Sequence, residues 1–154
     1  MSFEKVVEHL REKGLEDRIS EFDVSSATVS LAAEAVGCRS NQIAKTLSFK
    51  DREGNPFLIV VSGDAKINNR KFKDEFAYKA KMLSAEEVVN LVGHAVGGVC
   101  PFAIKDGCRV YLDESLKAEE IIYPAAGSAN SAVKLTIEDL EKASDFERWV
   151  NVTQ

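Results

Sequence analysis

Two apolar runs joined by a turn constrain the fold more than any other part of the chain. Ile43-Ala44-Lys45-Thr46-Leu47-Ser48-Phe49 alternates, Phe57-Leu58-Ile59-Val60-Val61 is apolar throughout, and Asp51-Arg52-Glu53-Gly54-Asn55-Pro56 between them is rich in turn formers. The pattern predicts a hairpin with strands over 44–50 and 57–62, the second strand central and covered on both faces. Within the first strand, Lys45 shares its parity with Ile43, Leu47 and Phe49, so the lysine stands on an apolar face. An unpaired ammonium there costs several kcal/mol or shifts its pKa, and an anion or oxygen ligand usually accounts for it. The alternative is a lysine at the strand mouth whose stem snorkels to water.

The remaining elements follow from periodicity and caps. Phe3, Val6, Val7 and Leu10 recur at helical spacing, with Gly14 as a stop. A short extended piece falls over 21–24. Thr28 can cap a helix over 29–36 that Gly37 closes, and Asn68 or Asn69 can cap another reaching Phe76. Ser84-Ala85-Glu86-Glu87 is a capping box that opens a helix ending at Gly93. Short strands are expected near 109–112, 121–123 and 131–135, then a helix after Thr136, with Trp149 packing the tail onto the body. Helices and strands lack a regular βαβ rhythm, which favours an α+β fold with a mixed sheet or barrel. With no repeat, low-complexity tract or linker in its 154 residues, the chain reads as one domain over 1–154.

Composition narrows the setting. No apolar run approaches the ~20 residues that span a bilayer, and Met1-Ser2-Phe3-Glu4-Lys5 lacks a signal-peptide pattern. Three scattered cysteines, Cys38, Cys100 and Cys108, do not make a disulfide framework. A cytoplasmic protein with no membrane contact is expected. The net charge of −5 argues against generic coating of nucleic acid. Lys66, Arg70, Lys71, Lys73, Lys79 and Lys81, however, face only Asp74 and Glu75 between positions 66 and 81. That local excess can grip a phosphate backbone, or it can be a solvated helix face.

Two loops carry the other candidate chemistry. In Gly93-His94-Ala95-Val96-Gly97-Gly98-Val99-Cys100-Pro101 the glycine pair leaves main-chain N–H groups unobstructed and Pro101 stiffens the exit. Such a loop can cradle an oxygen anion or polarise a carbonyl. Pro124-Ala125-Ala126-Gly127-Ser128-Ala129-Asn130-Ser131 can bring backbone, a hydroxyl and an amide to a ligand, or simply connect strands. Neither a P-loop nor a dinucleotide fingerprint occurs, and no Cys/His/carboxylate cluster has zinc spacing, so no metal or other cofactor is expected. Cys100 with His94 as base is a further nucleophile candidate, although isolated cysteines are more often packing residues.

Taken together, Asn41-Gln42-Ile43-Ala44-Lys45-Thr46-Leu47, the Val96–Pro101 run, and Ile122-Tyr123 leading into Ala126-Gly127 resemble the YbaK/EbsC-type aminoacyl-tRNA deacylases. These are relatives of the editing domain inserted in bacterial prolyl-tRNA synthetases. The resemblance covers nearly the whole chain. It implies a mixed, mostly antiparallel, barrel-like sheet flanked by helices, and a hydrolase that cleaves the ester of mischarged tRNA carrying a small amino acid. Its partners would be aminoacyl-tRNA, with tRNA(Pro) a candidate, and a synthetase in transient complex. A non-catalytic tRNA- or synthetase-binding module of the same fold is the alternative. By the same resemblance Lys45 is the principal functional side chain, and the loop with Gly97, Gly98, Val99 and Pro101 lies against the aminoacyl group beside Thr46. Phe22 borders the pocket, where some members carry tyrosine. The Cys-tRNA-editing branch has serine and aspartate at the positions matched by Ala125 and Ala132, whereas this chain offers Ser128 and Asn130, which with Gly127 and Ala129 are expected to bind the substrate. That leaves alanine, serine, threonine or another small acyl group as the substrate.

Overall fold

The computed structural model describes residues 2–154. In chain order the elements are α1 (Ser2–Glu12), β1 (Ile19–Glu21), α2 (Val29–Val36), β2 (Ile43–Lys50), β3 (Pro56–Ser62), α3 (Asn69–Phe76) and α4 (Ala85–Glu87). There follow β4 (Arg109–Asp113), β5 (Ile121–Pro124), β6 (Ser131–Val133), β7 (Leu135–Thr136), α5 (Ile137–Ser144) and β8 (Trp149–Val150). The predicted hairpin is the centre of a six-stranded sheet in the order β7-β5-β2-β3-β4-β8. The sheet is mixed and curls into a half barrel. β2/β3 and β5/β7 are antiparallel, and β2/β5, β3/β4 and β4/β8 are parallel. The β2/β3 ladder is the longest, from Ala44↔Ser62 to Lys50↔Pro56.

Parity in β3 and β4 sets the two cores. Leu58, Val60, Val110 and Leu112 turn to one side, against Val6 and Leu10 of α1, Phe102, and Leu140 and Ala143 of α5. Phe57, Ile59, Val61 and Tyr111 turn to the other, against Phe49 and Phe72, with Phe76 packed alongside. Burying each large apolar side chain contributes about 1.5–3 kcal/mol, which is why a strand with no polar face belongs in the middle. Thr28 and Asn68 cap α2 and α3 through their side chains, and Gly37 closes α2 at φ 83.

Three local expectations shift. The extended piece lies at Ile19–Glu21, earlier than 21–24, because Ile19 pairs with Val133. The single strand over 131–135 divides at Lys134, whose N–H donates to Arg18 O; β6 pairs with β1 and β7 with β5. The helix opened by the Ser84–Glu87 capping box runs one α-turn, widens into a π-turn over Val88–Val92, and ends at Gly93 with φ 100. Trp149 does pack back on the body: its ring meets Phe146 edge-on at 6.0 Å and its Nε1 donates to Glu141 at 3.0 Å. Among the described residues no helix is long and apolar enough to cross a membrane.

Candidate active site

β2 is covered unevenly along its outer edge, and the gap is the site. Beside β3 it is fully paired, but β5 reaches only Ile43 and Ala44 on the other side. At the far end the segment before α4 closes the edge, with Lys50 N–H donating to Lys81 O and Leu83 N–H to Ser48 O. Main-chain groups alternate in direction along an antiparallel strand, so the N–H and C=O of Thr46 point into the interval between these two neighbours. The Thr46 hydroxyl Oγ1 is also buried and has no hydrogen-bond partner among the described residues. An unpaired buried hydroxyl costs about 1–3 kcal/mol, so this position is a standing site for a ligand. A cavity of about 350 Å³ opens here, lined by β2 from Ile43 to Ser48, the first turn of α2, Met82 and Leu83, and Gly97 and Val99.

Lys45 lines the same cavity and is half-buried. Burial holds its ammonium below the usual lysine range; Asp64 pulls the other way and Lys66 adds to the depression. Among the described residues it has no hydrogen-bond or ion-pair partner, so the charge is held in the cleft without a bonded counter-ion. The amino-terminal turn of α2, capped by Thr28, lines the same cavity, and the positive end of its dipole lies there. The wall behind is made of small groups. Gly97 has φ 98, and a Cβ there would stand 3.1 Å from that of Ala27. Gly98 runs against the second loop so closely that a Cβ would meet Ser128 N at 2.6 Å.

Comparison with known proteins agrees with this geometry. Residues 23–143 match the aminoacyl-tRNA editing domain. The chain belongs to the aminoacyl-tRNA editing domain family. The "Uncharacterized protein YwhH" of Bacillus subtilis (strain 168) is 45% identical over 152 residues, covering 99% of this chain and 97% of that protein. The "Putative Cys-tRNA(Pro)/Cys-tRNA(Cys) deacylase EbsC" of Enterococcus faecalis is 27% identical over 107 residues, 69% of this chain and 65% of that one. The crystal structure of "a putative trans-editing enzyme for prolyl tRNA synthetase" superposes with a TM-score of 0.88 at 27% identity, covering 99% of this chain and 97% of that one.

In this editing domain the residues singled out from sequence separate into two groups. Lys45, Thr46, Gly97 and Val99 line the cavity together. Gly98, Pro101 and Gly127 lie buried behind its wall, and Gly127 tucks under α1, where a Cβ would meet Val6 Cγ2 at 2.8 Å. Ser128 Oγ donates to Asn130 Oδ1 and bonds Ser131 Oγ, and Asn130 Nδ2 donates to Phe22 O; these residues tie their loop rather than line the cleft. Ala129 is exposed beyond them. Phe22 borders an adjoining groove of about 210 Å³ that shares Tyr123 and Ala132 with the main cavity. One main-chain donor in the glycine loop is already engaged: Gly98 N–H donates to Ala95 O. Ala125 and Ala132 both line the cleft and make this part of its wall apolar. Ser26, Tyr123, Met82 and Val96 also reach the cavity. Sequence reasoning missed Met82 and Val96 as site residues, because two exposed apolar side chains in loops carry no periodic signal.

His94 and Cys100 do meet, but inside the core of the editing domain. His94 Nε2 donates to Phe102 O at 2.7 Å, its Nδ1 accepts from the Ser2 hydroxyl, and Cys100 Sγ lies 3.6 Å from Nε2. Burial lowers the His94 pKa and pushes the Cys100 thiol up to about 12. A thiol so protonated, away from the cleft, is a packing group. Among the described residues no three His, Cys, Asp or Glu side chains come together as a metal site.

Proposed function

We propose that the chain is a trans-acting aminoacyl-tRNA deacylase that clears mischarged tRNA bearing a small, uncharged amino acid in the cytoplasm. The observation that carries this reading is Lys45, a half-buried cation without a bonded counter-ion, standing beside an open strand edge in the cleft of an editing-domain fold. Water attacks the ester carbonyl carbon, the bond from that carbon to the ribose oxygen breaks, and the proton passes to the departing ribose hydroxyl. The ester is already activated, so positioning and charge stabilisation supply the catalysis and no protein nucleophile is required. Lys45 holds the terminal adenosine's phosphate or the developing oxyanion. The free N–H groups at Thr46 and Gly97 orient the acyl group, and the Thr46 hydroxyl gains its missing partner. Ala125, Ala132 and Gly97 shape the wall that admits the side chain.

A deacylation panel tests it: tRNA(Pro) carrying Ala, Cys, Ser or Pro, with cognate Ser- and Thr-charged tRNAs, each with and without chelator. Turnover of at least one small-acyl tRNA, indifferent to chelator, is the expected result. Tight binding of charged tRNA with no turnover of any would make the protein a binding module instead.

A further inference from the structure

The basic segment singled out in the sequence forms a groove outside the cleft. Arg70 and Lys73 on α3 and Lys79 in the segment that follows line an open depression of about 480 Å³ with Asn69 and Ala80, and no carboxylate shares its wall. Lys66 and Lys81, exposed beside it, add two further charges. None of Lys66, Arg70, Lys73, Lys79 and Lys81 is in an ion pair among the described residues. The nearby Glu75 is occupied by Arg148 at 2.5 Å, and Lys71 donates to Thr153 O. The groove is joined to the cleft by the chain itself. Lys79 and Ala80 line the one, Met82 and Leu83 line the other, and this stretch spans roughly 7–14 Å at the reach of extended chain. Where they join, Met82 and Val96 are 56% and 65% exposed and give the cleft an apolar rim that a base can cover.

We infer that this groove is the docking track for the phosphate backbone of the tRNA acceptor arm, leading the 3′ end over the Met82–Val96 rim to Lys45. The inference rests on the deacylase reading for its occupant and on the charge distribution for its place. A chain of net charge −5 groups Lys66, Arg70, Lys73, Lys79 and Lys81 in one short stretch, which runs on into the cleft that holds the half-buried Lys45. A polyanion that ends in the cleft fits both facts. Three phosphate contacts give a salt slope of about −2.1 to −2.7, or roughly 20- to 40-fold weaker binding between 50 and 200 mM salt.

The test compares wild type with R70Q/K73Q/K79Q, none of which touches the cleft. Binding of uncharged tRNA is followed by anisotropy across that salt range, alongside turnover of aminoacyl-tRNA and of a short 3′-aminoacylated CCA oligonucleotide. The expected result is weaker tRNA binding, a salt slope shallower by about two to three, and a raised KM for tRNA, with kcat and oligonucleotide turnover unchanged and thermal unfolding as in wild type. Wild-type affinity and slope in the triple variant would overturn the inference, as would equal loss on the short oligonucleotide, or attachment of wild type to anionic vesicles in preference to tRNA. Binding does not require turnover. A wild type that holds tRNA through these residues yet hydrolyses nothing defeats the deacylase reading alone, while one that hydrolyses normally without them defeats the track alone.

Discussion

Replacing Lys45 by methionine should lower activity and raise stability together. Methionine keeps a flexible apolar stem beside Val61, the cross-strand partner of position 45, and removes only the ammonium. If that charge meets the developing oxyanion, its loss costs about 2.7–4 kcal/mol, a hundred- to thousandfold fall in kcat. If it holds a phosphate instead, a charge pair at 4 Å and an effective dielectric of about 20 is worth up to ~4 kcal/mol before desolvation, and the loss appears in KM. Single-turnover and steady-state deacylation therefore distinguish the two roles. Stability moves the other way. The folded-state pKa of Lys45 lies below its unfolded value of 10.5, because burial disfavours the charge. The unfolded chain thus binds the proton more tightly, and the penalty is fully present below the depressed pKa. It fades as pH rises from that value toward 10.5, so K45M should melt higher than wild type at neutral pH and converge with it at alkaline pH. The wild-type rate, corrected for spontaneous ester hydrolysis, should fall over the same alkaline interval. Unchanged turnover in a folded K45M protein would refute the reasoning for the site, and a lower melting temperature at pH 7 would refute the reasoning for burial.

Gly98→Ala puts a methyl 2.6 Å from Ser128 N, so the two loops must part; overpacking of this kind typically costs about 1–3 kcal/mol, and both the melting temperature and deacylation should drop. Ser128→Ala should leave the ratio of alanine to serine turnover unchanged, because its hydroxyl is committed to Asn130 and Ser131; a shifted ratio would bring Ser128 back to the substrate. Treatment with iodoacetamide under native conditions should spare activity and leave Cys100 unmodified by mass spectrometry, since that thiol is fully buried with its pKa at about 12. Inactivation that tracks labelling of Cys100 would reinstate it as a nucleophile.

Much of the fold is legible because local and tertiary signals coincide. The alternation of β2, the all-apolar β3 and the caps at Thr28, Asn68 and Ser84 each reappear where the residues put them. Lys45 was legible for the same reason: a charge out of step with its face is visible in a list of letters. What could not be read depends on which distant segments meet. Ser131-Ala132-Val133-Lys134-Leu135 contains no glycine, proline or other turn former after its first residue, so nothing local announces that its halves serve different sheets. The aliphatic run Val88–Val92 is compatible with α- or π-winding, and the difference is settled by where Gly93 turns the chain. The open interval at Thr46 arises only because β5 stops short at one end and Lys81–Leu83 begins at the other. No window of sequence contains both.

That interval makes the molecule report on itself. Lys45 and Leu47 are held against β3, whereas the amide proton between them meets no acceptor among the described residues and should trade with deuterium on its own, fast schedule. An occupant supplying a carbonyl at that point would protect this proton while its neighbours stayed as they were. Filling of the cavity could then be followed as a change at a single nitrogen in the middle of the longest ladder, with no label on the incoming RNA.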